Sequence, residues 1–314
     1  MNRVELDPAT KDKLKDLDLG DFLTVSFFII DEIYQSIKHL AARSGPTPYF
    51  SDSEVICLNL VGQMVTDSEN SWFKMVKKNY LKLFPKLLER SRYHRRCKDL
   101  QQITEVIRCK FLYFMDNHLQ KWFIMDSLPV PVCVYVRASR NLRFATDFGV
   151  DNSDLYGHCA SKKEDVYGFK LHLMTSTQAI PTHYVLAAAS HHDVNIAPEL
   201  LETHRTNILT LCDKGYVGLS KKLNNPTEHH LIIQKRETQE PNSAIEKAFL
   251  GIFRKTIETT NAILAGQFNL QFTRAKSAWG LTNRVIAKIT SLTLAIYINF
   301  IAQLPLLQVK AFVF

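Results

Sequence analysis

The sequence predicts an α/β protein in which a mixed β-sheet flanked by helices follows an all-helical N-terminal region. Three observations lead to this prediction. Helical periodicity dominates residues 20–120, the pattern changes to short apolar runs at Lys121, and strand-like and helical segments then alternate to about residue 264. The composition of 46% hydrophobic and 22% charged residues is ordinary for a globular protein.

The region before Lys121 is predicted to be helical throughout. Its first apolar helix is FLTVSFFIIDEIYQSIKHLAA, and Ser51 with Glu54 forms a capping-box pattern that begins the next helix, SEVICLNLVGQMV. The segments WFKMVKKNYLKLF and ITEVIRCKFLYFMDNHL continue the same periodicity. We therefore assign residues 1–115 to an all-helical N-terminal domain.

Strand patterns begin at Lys121. KWFIMDS is predicted as a short strand that ends at Asp126, because Pro129 and Pro131 follow it. Four further segments have strand patterns: YGFKLHLMTS, THYVLAAAS, NILTLCDKGYVG up to Asp213, and HLIIQKR. The order strand, strand, strand, helix, strand, helix, strand, helix is the layout of a ribonuclease H-like domain. We assign residues 116–275 to that domain.

The C-terminal residues 276–314 form a third predicted segment. The stretch from Ile289 to Val309 has no charged residue for 21 positions, which is the length of a membrane span. It also contains seven polar or proline residues, so we favour a helix that packs on the domain of residues 116–275 or on a partner, with no membrane contact. The six cysteines are scattered without a C-x-x-C pair and the N-terminus is highly charged, which predicts a reduced, cytoplasmic location.

Three carboxylates stand where a metal site would need them. Asp126 and Asp213 each end an apolar strand, and Glu258 lies on the last predicted helix of the domain. A carboxylate at a buried strand end is costly unless something neutralises it. Two divalent ions about 3.5–4 Å apart support phosphodiester chemistry, and Mg²⁺ prefers oxygen ligands. The pattern therefore predicts that Asp126 and Asp213 converge on metal, with Glu258 as a further ligand.

Each of these carboxylates also has a simpler interpretation. Asp126 could be a strand-end turn residue, and Asp213 could merely cap the loop that follows it. Glu258 could be half of a solvent-exposed ion pair with Arg254, four positions before it on the helix. None of the three is specific on its own.

Several motifs together carry a resemblance to a known family. FSDSEVICLNLVG, DSENSWFKMVKKNYLKLFP, IMDSLPVPVC, CASKKEDVYGFKLHL, LCDKGYVG and FRKTIETTNAIL follow one another in the chain. This series resembles the DDE transposases of bacterial insertion sequences, and specifically the nine-eight-two insertion-sequence family. The resemblance spans residues 20–300.

The resemblance implies an activity and a set of site residues. It matches Asp126 and Asp213 to the two catalytic aspartates and Glu258 to the catalytic glutamate, with Arg254 in the neighbouring basic position. It implies two Mg²⁺ or Mn²⁺ ions, and cleavage and joining of double-stranded DNA at the element ends and the target by a homodimer assembled on DNA. A related group has Tyr and Lys where this chain has Gly251 and Ala265, so the roles of that Tyr and Lys do not transfer.

Basic residues suggest where DNA would bind. The formal charge is +8, and ten of the 25 residues from Lys74 to Lys98 are Lys or Arg, with aromatic residues among them. The alternative is a solvated basic helix face with its aromatic residues in the core. The predicted DNA contacts are Lys74, Lys77, Lys78, Arg92, Arg95 and Arg96 in the helical region, and Lys170, Arg236, Arg254 and Lys255 in the catalytic domain.

Three functions remain open from the sequence. The first is an active transposase that cuts DNA and transfers 3′ ends. The second is a catalytically idle, DNA-binding relative, and the third is a ribonuclease H-like nuclease that cuts without joining. Glycine-rich nucleotide motifs and the G-x-S-x-G motif of hydrolases do not occur in the chain.

Overall fold

The computed structural model describes residues 17–41, 45–46, 48–159, 163–202 and 208–309. It divides the chain into two compact units, Met1–Asp116 with Trp279–Phe314, and Asn117–Ala278. We call them the helical unit and the sheet unit. The chain is thus a mixed α/β protein, as the sequence predicts.

The elements alternate in type only after residue 121, where the first strand begins. In chain order they are α1 (Leu19–Ile37), α2 (Asp52–Val65), α3 (Glu69–Asn79), α4 (Arg90–Asp99), α5 (Gln101–Phe114), β1 (Trp122–Pro131), α6 (Arg143–Phe148), β2 (Tyr156–Cys159), β3 (Glu164–Ser176), β4 (Pro181–Ala188), α7 (Asp193–Glu202), β5 (Ile208–Cys212), β6 (His229–Ile233), α8 (Ala244–Gly266) and α9 (Ala278–Ile301).

The predicted capping box at the start of α2 is confirmed. The Ser51 hydroxyl accepts the Glu54 backbone N–H at 3.1 Å, and the Glu54 carboxylate accepts the Ser51 backbone N–H at 2.6 Å. These two bonds satisfy backbone donors that the first turn of a helix leaves free. The local sequence therefore fixes where α2 begins.

Helix α9 lies within the helical unit, whereas the sequence predicts that residues 276–314 pack on the catalytic domain or on a partner. The Ser291 hydroxyl donates to the Leu60 carbonyl at 2.8 Å, and the Tyr297 ring stacks on Phe111 at 5.1 Å between centroids. It is the one helix in the described part of the chain that is long and apolar enough to cross a membrane, and 78% of its most apolar window is buried. Residues 287–299 of the helix are all buried, so this part of it has neighbours on every side.

The sheet unit is built on a mixed sheet. Its strand order is β4-β3-β1-β5-β6, with β2 pairing to the first residues of β3. Strands β1, β3 and β4 are antiparallel to one another in turn, whereas β5 is parallel to both β1 and β6. Parallel strands need a crossover connection, and α7 lies in the chain between β4 and β5.

Helices cover both faces of this sheet. On one face Phe123 and Met125 pack with Ala197 and Leu200 of α7. On the other face Ile124 and Leu211 pack with Ile257 of α8, and Phe249 and Phe253 extend that cluster. The alternation of Phe123, Ile124 and Met125 between the two faces follows from the two-residue period of a strand.

Strand β1 is longer than predicted. It continues past Asp126 to Pro131 because β3 remains its antiparallel partner, while the parallel partner β5 ends at Cys212. The Val132 N–H donates to the Tyr167 carbonyl of β3. Because successive backbone N–H groups of a strand point to opposite sides, the nitrogens of Pro129 and Pro131 point away from β3, to the side where pairing with β5 has ended. Proline is tolerated where no ladder bond is lost. The prediction that the strand ends at Asp126 is therefore wrong.

Two other local predictions differ from the structure. The sequence pattern does not indicate β2, which has only four residues and pairs along four residues of β3. Between β5 and β6, where the sequence order predicts a helix, the structure has three short 3-10 turns, Lys214–Tyr216, Leu219–Lys221 and Pro226–Glu228.

Candidate active site

Asp126 and Asp213 lie at the same level of two neighbouring parallel strands. The β1–β5 register pairs Ile124 with Leu211 and Met125 with Cys212, so Asp126 and Asp213 are the next residues in line. Neighbouring strands are about 4.8 Å apart. Both aspartates follow the parity of Ile124 and Leu211, which face α8. The strand pattern therefore directs the two carboxylates to one face of the sheet.

Helix α8 adds a third carboxylate at the same place. Its buried Ile257 packs against Ile124 and Leu211, and the next residue is Glu258. Asp126, Asp213 and Glu258 line one cavity of about 50 Å³. The three carboxylates come from three separate segments of the sequence, and the structure brings them together at this cavity.

Asp126 is half-buried, whereas Glu258 is exposed. Its carboxylate accepts a hydrogen bond from the Ser127 backbone N–H and one from the Asn261 side-chain amide, both at 2.8 Å. Burial, together with the negative charges of Asp213 and Asp193, raises the pKa of Asp126 to about 6, and the two hydrogen bonds oppose this shift. Burial and the charges of Asp213 and Asp193 therefore oppose the ionisation of Asp126 when no cation is bound.

Asp213 and Glu258 also make the contacts that a purely structural role would predict, a turn cap and a surface ion pair. The Asp213 carboxylate accepts the Lys214 backbone N–H at 2.6 Å and so caps the turn after β5. The exposed Glu258 accepts from the Arg254 guanidinium at 2.8 Å, and Arg254 also donates to the Gln234 side chain at 3.1 Å. These contacts do not prevent the two carboxylates from lining the shared cavity, because each has a second oxygen that can accept other partners.

The chemistry of this donor set fits a hard divalent cation. Three carboxylates offer the oxygen ligands that Mg²⁺ or Mn²⁺ prefers. Asn261 adds a buried side-chain oxygen for which no hydrogen-bond partner occurs among the described residues. Within that part of the chain, no three His, Cys, Asp or Glu side chains already stand close enough to hold an ion. Glu258 therefore has to move closer to the two aspartates to join such a site.

A comparison with protein families identifies the chain. Residues 121–294, more than half of its 314 residues, match the family described as "Transposase DDE domain". The chain belongs to the DDE transposase family. Neither curated proteins nor solved structures gave a match. Membership implies DNA as the substrate, and enzymes of this family normally use divalent metal ions.

The basic stretch of this transposase presents most of its charges to solvent. Lys74, Lys77, Lys78, Arg92 and Arg95 are exposed or half-buried. Arg96 is more enclosed: its guanidinium is 13% exposed and binds the Asp52 carboxylate and the Phe50 carbonyl. This pairing argues against the predicted DNA contact of Arg96.

The aromatic residues of the same stretch belong mostly to the core of the helical unit. Trp72, Phe84 and Tyr93 are at most 4% exposed, and the Trp72 indole N–H donates to the Leu58 carbonyl at 2.9 Å. Buried rings cannot stack on bases. The structure therefore argues against base stacking by these three rings, while phosphate contact by the exposed basic residues stays a prediction.

The basic residues of the sheet unit fall into two groups. Arg236 and Lys255 are exposed, and Arg254 pairs with Glu258. Lys170 is 19% exposed and binds Asp193 at 3.0 Å as well as the His191 carbonyl. Lys170 therefore neutralises a carboxylate near Asp126, which argues against a free phosphate contact.

Sequence reasoning missed four polar residues in the neighbourhood of Asp126 that do not line the cavity itself. Asn261 follows Glu258 by three positions, a helical spacing that could have indicated it. The local pattern of Asp193 indicates only a helix start, yet its charge acts on Asp126. His172 and Tyr216 are fully buried, and their side-chain polar atoms have no hydrogen-bond partner among the described residues. No local pattern indicates such neighbours, since they come from separate segments.

Proposed function

We propose that this transposase binds the inverted ends of an insertion sequence, cleaves DNA strands there and transfers the 3′ ends to target DNA. Asp126, Asp213 and Glu258 are the two aspartates and the glutamate of the catalytic set and the ligands of two Mg²⁺ or Mn²⁺ ions. The observation that carries the proposal is their shared cavity in a chain of the DDE transposase family.

The side chains of the cavity have separate roles in this proposal. Asp126, Asp213 and Glu258 would hold the divalent ions, which would supply activation of the attacking hydroxyl and stabilisation of the leaving oxygen of the phosphodiester. Asp126 binds in its charged form, and the Asn261 amide holds one of its oxygens in place. Arg254, which donates to Glu258 and Gln234, provides positive charge beside the scissile phosphate.

The sheet supports a ribonuclease H-like assignment for the catalytic domain. Three antiparallel strands are followed by two parallel ones in the order β4-β3-β1-β5-β6, with helices on both faces. These five strands follow one another in the chain as the sequence predicts, although three 3-10 turns replace the helix expected between β5 and β6. We further propose that the chain is a member of the nine-eight-two insertion-sequence family, that its helical unit binds duplex DNA through the exposed basic stretch, and that it works as a homodimer on DNA.

The experiment that tests this function uses the purified chain with Mg²⁺ and a labelled duplex that carries the sequences flanking its gene. We expect nicks or breaks at the element end and joining of the new 3′ ends to a plasmid target. A duplex with the end sequence scrambled is the matched control. Cutting without joining identifies a nuclease, and binding without cutting identifies an idle relative; either result refutes the proposal.

A further inference from the structure

A short segment between β1 and α6 exposes three consecutive apolar side chains. Val134, Tyr135 and Val136 are 62%, 45% and 91% exposed. Single apolar residues on a protein surface are ordinary, whereas a consecutive exposed run belongs to a surface that binds something. The run therefore indicates that residues 134–140, which we call the tip, form an interaction surface.

The tip is also basic. Arg137 and Arg140 are exposed, and neither makes an ion pair within the described part of the chain. Arg143, three positions further on, differs because it pairs with Asp147 at 3.4 Å. The 20 residues 127–146 contain these three arginines and no aspartate or glutamate. Guanidinium groups without carboxylate partners are well suited to bind phosphates. The charge of the tip therefore favours nucleic acid as its partner.

The conformation of the tip is fixed by its neighbours in the sheet unit. Residues Tyr135–Arg140 form a 3-10 helix in which Ala138 is buried. The Tyr167 hydroxyl of β3 donates to the Asn141 carbonyl directly after the tip at 2.6 Å. The Tyr135 ring packs edge-on against Tyr156 of β2, with 5.8 Å between the ring centroids. A surface that is held in this way loses little conformational freedom when it binds a partner.

The tip lies beyond the end of the strand that carries Asp126. Strand β1 pairs with β3 without a break from Asp126 to Pro131, and the tip begins three residues later. With a rise of about 3.3 Å per residue, the end of β1 lies about 17 Å beyond Asp126, which is the length of about five base pairs. A duplex bound at the three carboxylates is thus long enough to contact the tip as well.

An exposed apolar run beside two cations fits one mode of DNA binding. Proteins that bind the minor groove insert apolar side chains between two base pairs, which unstacks the bases and kinks the duplex, while basic residues bind the neighbouring phosphates. A partner with a merely apolar surface would leave Arg137 and Arg140 without counter-charge.

We propose that the tip is a wedge for duplex DNA. Val134 and Val136 enter one base step, and Arg137 and Arg140 bind the phosphates on either side of it. The inference rests on the proposed function for the identity of the DNA, and it adds a contact that lies outside the cavity of the three carboxylates.

Local unstacking of bases is the readout that tests the wedge. 2-Aminopurine replaces each adenine of an element-end duplex in turn, because its fluorescence rises when it loses its stacked neighbours. The full chain is added in EDTA, so that no strand is cut. We expect a rise at one base step or at two neighbouring ones. Replacing both Val134 and Val136 with Ser should abolish the rise at saturating protein, with little change in melting temperature because both side chains are exposed.

Leu119→Ser is the matched control for the two valines. Leu119 is 66% exposed and precedes β1, at the opposite end of this strand from the tip. The variant should therefore keep the full rise in fluorescence. No rise with the unaltered chain, or an undiminished rise with the folded serine variant, overturns the wedge. So does a serine variant that loses association between copies of the chain while it still unstacks the DNA.

The phosphate contacts have a separate test. Replacing both Arg137 and Arg140 with Gln should flatten the plot of log K against log salt by about 1.8, since each phosphate contact contributes about 0.9. Arg143→Gln is the control, because Arg143 is already paired with Asp147, and it should leave the slope unchanged. An unaltered slope in the folded double variant overturns the inference. A rise that the serines abolish in a chain that cuts no DNA keeps the wedge and refutes the proposed function instead.

Discussion

Asp126 and Asp213 stand side by side on two parallel strands, one position beyond the last ladder pair, Met125 with Cys212. Their proximity is therefore a property of the backbone register and needs no particular side-chain contact. Glu258 depends instead on the helix, which is held to the sheet by Ile257 and by Phe249 and Phe253 against Trp122. We therefore infer that the sheet fixes the positions of Asp126 and Asp213, whereas the position of Glu258 can adjust with its helix.

We predict that Asp126→Asn makes the metal-free protein more stable at pH 7. The folded pKa of about 6 lies above the ordinary value of 3.8, so the folded state loses stability as the pH rises from about 4 to about 6. A shift of this size corresponds to at most about 3 kcal/mol, which asparagine recovers at pH 7.

Urea unfolding in EDTA at pH 7 and pH 4 measures this effect. The gain should be present at pH 7 and absent at pH 4, where the wild-type carboxyl is protonated. Asp165→Asn, at an exposed position of β3, is the control and should change little. A loss of stability at pH 7 would contradict the account of Asp126.

The choice of metal is the second prediction. Mg²⁺ and Mn²⁺ should support strand cleavage, whereas Ca²⁺ should not, because its looser, higher coordination does not maintain in-line geometry. Cleavage rates on one substrate with each ion in turn provide the measurement. Undiminished turnover in EDTA would exclude the metal mechanism.

Arg254→Gln should weaken DNA binding without lowering the stability of the fold. The pair with Glu258 has side chains that are 54% and 52% exposed, and such surface pairs contribute at most about 1 kcal/mol. The melting temperature should therefore hardly move, while removing the cation from one phosphate should reduce the salt slope of binding by about 0.9. Arg143→Gln removes a comparable i,i+4 pair and should leave DNA binding unchanged. Equal effects of the two variants would refute the role of Arg254.

The exposed basic stretch of the helical unit gives a prediction of its own. Replacing Lys77, Lys78 and Arg95 with Gln should weaken binding and flatten the plot of log K against log salt by about 0.9 for each phosphate that the protein no longer neutralises. Lys38→Gln, an exposed lysine outside the stretch, is the control. A folded triple variant with unchanged affinity and slope would show that the stretch is only a solvated face.

The candidate site is more predictable from sequence than its surroundings. Apolar runs before Asp126 and Asp213 and a helical segment around Glu258 mark the three residues as candidates, and the resemblance to DDE transposases is what groups them. The extension of β1 through Pro129 and Pro131 depends on where its partner β5 ends, and that is set by tertiary structure. No local pattern in the sequence indicates where the pairing with β5 ends.

Long-range pairing explains the remaining differences. Arg96 resembles a DNA contact in sequence because its neighbours are basic, yet it binds Asp52, 44 positions earlier in the chain. Helix α9 resembles an isolated apolar segment because the helices that surround it lie far away in sequence. Such partners become visible only once the chain is folded.

The most direct test of the central claim measures strand cleavage and DNA binding of Asp213→Asn under identical conditions with Mg²⁺. Asparagine keeps the size of the side chain and the cap on Lys214 but removes the negative charge that binds metal. We predict that cleavage of the element end falls by at least about a thousandfold, which corresponds to a loss of about 4 kcal/mol of transition-state stabilisation, while the dissociation constant for DNA stays within about threefold. Substantial cleavage by Asp213→Asn would contradict the assignment of the site.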